Sequence, residues 1–261
     1  MHWTETMFLE HGELFLKLLK HAERRVLQDI EGLERIFLDM GICTGDKVLD
    51  LCCGHGRHAI RLAEKGFTVT GIDISPIAIT QAKELAETMN VRDRVEFLVG
   101  DVRNVLQLLE KDRGDFGVVI NMWTSLGYYD EKTDRGILNQ LNSLVSSRGT
   151  LIIEIVNRDF LIKHFQPFGI IDLEDCELHE HRILNLEKSR MELVWKFYQK
   201  EGDELTHRAS IPLNHRLYSL HELIVLLETT GWEYITSYGT WDLQPVTQDT
   251  FMIRIVGRNL N

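Results

Sequence analysis

Residues 48–75, VLDLCCGHGRHAIRLAEKGFTVTGIDIS, predict two buried strands joined by a glycine turn and a helix. The helix is expected to begin at Gly56 and to end at Gly66, since glycine commonly terminates helices. Apolar runs that alternate with helical stretches are typical of βαβ units, in which helices cover both faces of a parallel sheet. Asp50 precedes the glycines and Asp73 ends the second strand, so two acids lie close to the turn in sequence.

The same alternation continues beyond this unit. Ser75 is a typical N-cap and Pro76 a typical first-turn residue, so another helix is expected to begin there. Three later apolar runs predict further strands of the sheet: 95–99, 116–120 and 151–156. Residues 1–40 carry apolar positions at spacings close to 3.6, which indicates amphipathic helices. The chain up to residue 156 is therefore predicted to form a doubly wound, Rossmann-like α/β sheet preceded by helices.

The pattern changes after residue 156. Apolar runs separated by polar turns predict an inserted antiparallel sheet with strands at 182–186, 191–198 and 205–211. A helix at 219–230 and strands at 234–238 and 251–256 are expected to follow. We therefore divide the chain into four parts: an N-terminal helical cap (1–40), a Rossmann-like cofactor-binding core (41–156), an inserted antiparallel β lid or dimerisation subdomain (157–216), and a C-terminal helix and strand pair that completes the core (217–261).

The composition is typical of a soluble globular protein, with 44% of the 261 residues hydrophobic and 26% charged. No apolar run reaches the roughly 18 residues that a membrane span needs, and the N-terminus lacks the pattern of a secretory signal. We therefore expect a cytoplasmic protein with no membrane contact. The formal net charge of −11 argues against broad binding to a nucleic acid, which usually needs a basic patch.

The glycine turn is placed where doubly wound sheets bind ligands. In such sheets the ligand lies beyond the carboxyl ends of the strands, and glycines let the backbone approach it closely. Gly54 and Gly56 occupy that place. Asp73 follows Gly54 by 19 residues, which is near the spacing of an acid that accepts hydrogen bonds from ribose hydroxyls. The pattern therefore predicts a nucleoside site.

Two ligands fit these residues, a dinucleotide or S-adenosylmethionine. The segment 54–59 matches GxGxxA, which favours a dinucleotide. Asp50 would repel phosphates but can help to hold an ammonium group, which favours a ligand with an amino-acid tail. Asp101 follows the third strand, where it can accept a hydrogen bond from an adenine amino group. Each acid alone also fits an ordinary role as a cap, a turn former or a buried carboxylate.

Three segments, 48–56, 71–75 and 100–101, resemble the successive binding motifs of class I S-adenosylmethionine-dependent methyltransferases. The resemblance implies S-adenosylmethionine as cofactor and a seven-stranded sheet whose last strand is antiparallel. Cys52 takes the place of the family's usual first glycine. By position, the resemblance implies these cofactor contacts: Asp50, Gly54 and Gly56 to the methionine moiety, Asp73 to the ribose, Ile74 to the adenine face, Asp101 and Val102 to the adenine edge, and Asn121 and Trp123 at the border with the substrate.

The acceptor is expected to lie beside the loop that follows the fourth strand. The loop 123–129 ends in Tyr128 and Tyr129, which offer phenols near the expected methyl position, although aromatic packing is an equal interpretation. The resemblance includes this stretch, since Ser-x-Gly-Tyr recurs there in members that act on small molecules. A hydroxyl acceptor benefits from a base, and the candidates are His164, His215 and the two phenols.

Three functions remain open from the sequence. The first is methyl transfer from S-adenosylmethionine to a nitrogen or oxygen of a small-molecule acceptor by in-line displacement. The second is an NAD-dependent oxidoreductase, and the third is a non-catalytic protein that retains the nucleoside pocket. A nucleic-acid acceptor is disfavoured by the acidic balance, and a homodimer through the inserted sheet is a further possibility. No metal is expected, because Cys176, His179 and His181 lack the paired spacing of a structural zinc site.

Overall fold

The computed structural model describes residues 2–260, which form a mixed α/β fold with two sheets. Its strands are β1 (Lys47–Leu51), β2 (Thr68–Asp73), β3 (Val95–Val99), β4 (Phe116–Asn121), β5 (Val145–Val156), β6 (Phe168–Asp172), β7 (Cys176–Asn185), β8 (Arg190–Glu201), β9 (Glu204–Arg216), β10 (Trp232–Tyr238) and β11 (Met252–Asn259). Its α-helices are α1 (Trp3–Glu5), α2 (Gly12–Ala22), α3 (Val26–Met40), α4 (Arg57–Glu64), α5 (Pro76–Thr88), α6 (Val105–Leu108), α7 (Glu131–Asn142), α8 (Arg158–Lys163) and α9 (Leu220–Glu228), and a π-helical turn (Thr6–Glu10) precedes α2.

The larger sheet has seven strands in the order β10-β11-β5-β4-β1-β2-β3. Strands β1 to β5 are mutually parallel, and the last strand, β11, is antiparallel to both of its neighbours. The predicted fold class, a doubly wound and mostly parallel sheet with an antiparallel last strand, is confirmed. The strand order reverses between β1 and β4, so the ligand crevice of such a sheet lies beyond their carboxyl ends.

The parallel strands are apolar on both faces because helices cover each side. In β1, Val48 and Leu49 are both fully buried, and their side chains point to opposite faces of the sheet. Val48 belongs to the core under α3, α4 and α5, whereas Leu49 belongs to the core under α7 and α9. This two-sided burial explains why the strands of this sheet are continuous apolar runs in the sequence.

The inserted region forms a four-stranded antiparallel sheet in the order β6-β7-β8-β9, between β5 and α9. The predicted insertion is confirmed as antiparallel, but β6 and the first half of β7 were absent from the sequence prediction. Both strands are only partly buried, and Glu180 occupies an inward position in β7, so the apolar signal of a strand is weak there. His179 and His181 lie on the opposite face of β7 from Cys176, so these three residues do not converge.

The N-terminal segment links the two sheets. Met7, Phe8 and Leu18 pack with Leu178 and Phe197 of the inserted sheet in one apolar cluster. Residues 3–22 therefore lie between the inserted sheet and the carboxyl edge of the larger sheet. Within residues 2–260, none of the helices combines the length and apolarity that a bilayer crossing needs.

Gly32 lets α3 pack directly on an indole. A Cβ atom at Gly32 would lie 2.0 Å from Cε3 of Trp241, whose Nε1 donates a hydrogen bond to Asp29. We expect Gly32→Ala to lower the free energy of unfolding by about 2 kcal/mol, because the added methyl group must displace this buried ring. Gly136→Ala in α7 is the matched control, since among the described residues no atom lies within 4 Å of its Cβ position. The control variant should raise the free energy of unfolding by about 0.5–1 kcal/mol. Equal urea denaturation midpoints for the two variants would contradict the expectation.

Candidate active site

The turn after β1 is built from residues with left-handed backbone. Gly54 has φ +57° and Gly56 has φ +78°, and a Cβ atom at Gly56 would lie 2.6 Å from Cζ of Phe97. Cys52 also has a positive φ, 60°, which costs a non-glycine residue roughly 1 kcal/mol. The glycines therefore satisfy a steric requirement of this bend, and Cys52 meets the same requirement at some cost.

Asp73, at the end of β2, holds this turn against the neighbouring strand. Its Oδ2 accepts a hydrogen bond from the backbone N–H of Gly54 at 2.8 Å, and its Oδ1 accepts one from Ser75 at 2.9 Å. Burial raises the pKa of Asp73, although these two hydrogen bonds act in the opposite direction. Each carboxylate oxygen has a second lone pair, so the group can still accept hydrogen bonds from a ligand.

Asp50, in β1, is a buried acid with unused hydrogen-bonding capacity. Its side chain is 1% exposed, and its Oδ2 has no hydrogen-bond partner within residues 2–260. Burial raises the pKa of Asp50 to about 7, with the nearby Arg57 acting to lower it. A buried orphan acceptor that faces a cavity is the expected arrangement for a ligand-binding group.

Arg57, the first residue of α4, is buried beside the same acid. It is 6% exposed, and its Nε has no hydrogen-bond partner in the described part of the chain. Its guanidinium carbon lies 4.6 Å from the ring centroid of Trp123, which is a cation–π contact. Arg57 therefore lines the same cavity as Asp50.

Asp101, just beyond β3, already accepts hydrogen bonds from within the protein. It caps the short turn Val102–Asn104 by accepting from the backbone N–H of Arg103 at 2.8 Å, and it accepts two further bonds from Arg103 Nε. Burial acts to raise its pKa, but the hydrogen bonds from Arg103 hold the pKa of Asp101 below its usual value. Asp101 therefore combines the ordinary capping role with a place at the sheet edge.

The three acids meet in one cavity of about 50 Å³ at the carboxyl edge of the sheet. The sequence-predicted residues that line it are Asp50, Cys52, Gly54, Asp73, Ile74, Asp101, Val102, Trp123, Tyr128 and Tyr129. Phe8, Phe15 and Leu19 of the N-terminal segment close its other side. Two of the predicted cofactor contacts, Gly56 and Asn121, lie outside this lining.

Gly56 packs on Phe97 beneath the turn, outside the cavity lining. Asn121 also lies outside that lining, because its Nδ2 donates to the backbone carbonyl of Leu51 at 2.9 Å and ties the end of β4 to β1. The structure thus shows a contact of Asn121 that positions the strand end, and its contact with the cofactor remains a prediction. Its neighbour Trp123 does reach the cavity.

A second cavity of about 340 Å³ adjoins the first, and the two share Phe8, Phe15, Trp123 and Tyr128. Three parts of the chain contribute the remaining lining. They are residues 3–29 (Trp3, Leu18, Arg25 and Asp29), the core (Thr124, Glu154, Phe251 and Met252) and the inserted sheet (Ile171, Glu180, Leu193, Trp195, Leu213 and His215). Apart from Thr124 and His215, the sequence prediction did not place these residues at a site. No local motif marks them, because they are brought together only by the fold.

The loop between the two cavities has a strained backbone. Trp123 and Thr124 both have positive φ, 61° and 63°, which is unusual for a non-glycine residue and more so for a β-branched one. The strain is held by hydrogen bonds to β5: Thr124 N–H donates to the carbonyl of Glu154 at 3.0 Å, and Thr124 Oγ1 accepts from Val156 at 3.1 Å. Strained residues cluster at functional sites, and here the strain directs the Trp123 ring between the cavities.

The two candidate histidines differ in exposure and in their hydrogen-bond partners. His215 lines the second cavity; its Nε2 donates to the carbonyl of Leu126 at 2.9 Å, and burial lowers the pKa of His215 to about 4. Its Nδ1 is therefore unprotonated near neutral pH. His164 is exposed and lies 3.3 Å from Asp249. It lines neither of these two cavities, but it and His215 both line a third cavity of about 510 Å³, and its role as a base remains a prediction.

These features define an α/β protein with a cavity at the carboxyl edge of its parallel sheet and a second cavity beside it. A family model described as "Methyltransferase domain" matches residues 42–168. The tRNA 5-carboxymethoxyuridine methyltransferase of Escherichia coli (strain K12) is 30% identical over 212 residues, which cover 76% of this chain and 77% of that protein. The chain belongs to the class I S-adenosylmethionine-dependent methyltransferases, and the NAD-dependent alternative is thereby set aside.

Solved structures share the fold. An S-adenosylmethionine-dependent methyltransferase from Clostridium acetobutylicum superposes with a TM-score of 0.79 at 14% identity, covering 98% of this chain and 100% of that one. The CcbJ methyltransferase from Streptomyces caelestis gives a TM-score of 0.75 at 19% identity, covering 89% and 90%. The chain spans only 22%, 30% and 33% of the length of three other curated relatives that it matches.

Proposed function

We propose that this protein transfers the methyl group of S-adenosylmethionine to a nitrogen or oxygen of a small-molecule acceptor. The observation that carries the proposal is the pair of adjoining cavities, one with strand-end acids and one with aromatic walls, which share Trp123 and Tyr128. When bound, the cofactor supplies a methyl group on a sulfonium, which needs little more than an aligned nucleophile. Trp123 and Tyr128 line both cavities and would separate the cofactor from the acceptor and exclude water.

The residues of the first cavity fit S-adenosylmethionine. The orphan Oδ2 of Asp50 would accept from the ammonium group, and the Arg57 guanidinium would bind the carboxylate of the same tail. Asp73 would hold the ribose hydroxyls, and Ile74 and Val102 offer apolar contacts for the adenine. Ligand pockets are usually about 300 Å³ or more, so loading requires Phe8, Phe15 and Leu19 to move outward.

Arg57 provides a test of the amino-acid subsite that does not depend on turnover. We expect Arg57→Met to weaken the binding of S-adenosylhomocysteine about tenfold, because a charge-assisted hydrogen bond to the carboxylate is lost. 5′-Methylthioadenosine lacks that tail, so its affinity should be unchanged. Arg61→Met, one helical turn later in an exposed pair with Glu64, is the matched control for both ligands in calorimetric titrations. A similar loss of affinity for 5′-methylthioadenosine would contradict the assignment.

The acceptor class is the part of the proposal that needs the sharpest experiment. The acidic total charge and three acids in the second cavity support a small molecule over a polyanion. An RNA acceptor is the second candidate, since the Escherichia coli relative is named for a tRNA nucleoside. Methyl-labelled S-adenosylmethionine should be supplied with a polymer-free metabolite extract or with total RNA. Label in the metabolite fraction supports the proposal, and label in RNA alone overturns it.

A non-catalytic protein would behave differently from either enzyme. It would bind S-adenosylhomocysteine but transfer no label to either fraction. The four-part division of the chain, a cytoplasmic location and a homodimer through the inserted sheet remain predictions. Size-exclusion chromatography with light scattering would test the last of these, with a monomer at micromolar concentration as the contrary result.

A further inference from the structure

The second cavity has the walls of a site for an organic cation. Its lining includes seven aromatic rings, those of Trp3, Phe8, Phe15, Trp123, Tyr128, Trp195 and Phe251. Aromatic faces attract ammonium groups through the ring quadrupole, most strongly where water is excluded. Its volume of about 340 Å³ lies in the range of pockets that hold small organic molecules. The aromatic walls alone would bind any flat apolar molecule, so the charged groups of the lining decide the chemical class of the acceptor.

Three carboxylates face this cavity, and each is more than nine-tenths buried: Asp29 at 5% exposure, Glu154 at 3% and Glu180 at 8%. Glu154 pairs with Arg254 at 2.7 Å. Glu180 accepts from Trp195 Nε1 at 2.9 Å and pairs with Arg182. These two acids are thus balanced by cations, neither of which lines the cavity.

Asp29 differs from the other two because its direct partners are neutral. Its Oδ1 accepts from Trp241 Nε1 at 3.0 Å, and its Oδ2 lies 3.3 Å from Nε2 of His58. Burial lowers the pKa of His58 to about 4, so that ring is uncharged near neutral pH. Arg57 interacts with Asp29 only at longer range. Arg25 is the single cation of the described lining, and its side chain is exposed.

An anionic acceptor would meet three buried carboxylates and would lose its hydration without gaining a buried cation. A neutral acceptor would gain no attraction between opposite charges from this acidic lining. We infer that the acceptor is a small amine on a flat or apolar body, held by the aromatic walls and the carboxylates of Asp29 and Glu180, with its nitrogen presented between Trp123 and Tyr128. This inference rests on the proposed function and narrows its acceptor class.

The chemistry balances without a further reactant. One N–C bond forms and one S–C bond breaks, with the electron pair of the broken bond remaining on sulfur. The amine enters as an ammonium ion and loses one proton before its lone pair can attack. That proton is accepted by a carboxylate of the cavity and passed to solvent.

Matched probes test the inference. Protein loaded with S-adenosylhomocysteine would be titrated with tryptamine, 3-ethylindole and indole-3-acetate, which share one aromatic body and differ in charge. We expect tryptamine to bind about tenfold more tightly than 3-ethylindole, and indole-3-acetate to bind most weakly. A second set built on phenethylamine, ethylbenzene and phenylacetate should give the same order. Equal affinities, a tightest carboxylate, or no amine binding in both sets overturns the inference.

Variants of the lining carboxylates show which residues cause the preference for an amine over a neutral probe. Asp29→Asn and Glu180→Gln should each reduce the amine-over-neutral ratio at least threefold, while S-adenosylhomocysteine affinity reports that the fold is intact. Glu177→Gln on the outer face of β7, where Glu177 pairs with His179, should leave the ratio unchanged. An unchanged amine-over-neutral ratio in both Asp29→Asn and Glu180→Gln overturns the role of the carboxylates. Failure to bind S-adenosylhomocysteine at all in the unmodified protein overturns the proposed function itself, which separates the two conclusions.

Discussion

Asp73→Asn is expected to weaken the binding of S-adenosylhomocysteine by about 100-fold, or about 2.7 kcal/mol. The ribose would lose a charged acceptor for its hydroxyls. The variant amide can also turn only one oxygen toward the N–H groups of Gly54 and Ser75, which both donate to the native carboxylate. The turn would therefore lose its link to β2 together with the ligand contact. Isothermal titration calorimetry measures the effect directly.

The control separates this role from general loss of charge. Asp115→Asn removes an acid from an exposed pair with Lys47, distant from both cavities, and should leave the affinity unchanged. 5′-Methylthioadenosine retains the ribose, so Asp73→Asn should weaken it by a similar factor. Unaltered affinity for either ligand in a folded Asp73→Asn variant would remove Asp73 from the proposed site.

Asp50→Asn should abolish a pH dependence of binding that the native protein possesses. The pKa of Asp50 is raised to about 7, chiefly by burial, with Arg57 opposing the shift and Asp73 adding to it. An ammonium group prefers the ionised carboxylate, so S-adenosylhomocysteine should bind about tenfold more tightly at pH 8 than at pH 6. The variant should bind about 30-fold more weakly at pH 8, with a much flatter profile. 5′-Methylthioadenosine has no ammonium group and should show no such dependence on Asp50.

The raised pKa of Asp50 also predicts that the stability of the ligand-free protein falls with rising pH, whereas ligand affinity rises. A buried acid with a raised pKa retains its proton in the native state while the unfolded chain releases it above about pH 4. Its contribution to stability therefore falls as the pH rises from about 4 to about 7, by an amount on the order of 2–4 kcal/mol. Asp50→Asn should be more stable than the native protein at pH 8, and the difference should shrink at pH 5. Equal unfolding free energies at pH 8 would contradict the burial argument.

The sheet and its ligand edge could be predicted because local patterns specify them. Val48 and Leu49 are apolar because both faces of β1 are covered, and Gly54 and Gly56 are glycines because the bend requires a left-handed backbone. Asp73 ends its strand at the spacing of a ribose-binding acid. Such features depend on neighbours within a few residues, so they leave a signature in sequence.

The second cavity left no comparable signature in the sequence. Glu180 interrupts the apolar pattern of β7, and the burial of Arg57 depends on the packing of the folded chain around it. His164 and His215 were equivalent candidates by residue type, and only the fold shows that His164 is exposed beside Asp249 whereas His215 lines the second cavity.

The sequence alone determined the doubly wound sheet, its glycine turn and the acids at its carboxyl edge, since strand periodicity and backbone sterics act locally. Only the tertiary structure decided which aromatic rings and carboxylates line the second cavity. Those groups come from the N-terminal segment, the core and the inserted sheet, and packing over long sequence separations brings them together. Burial then sets their charge states, because the cost of desolvation depends on everything packed around a group.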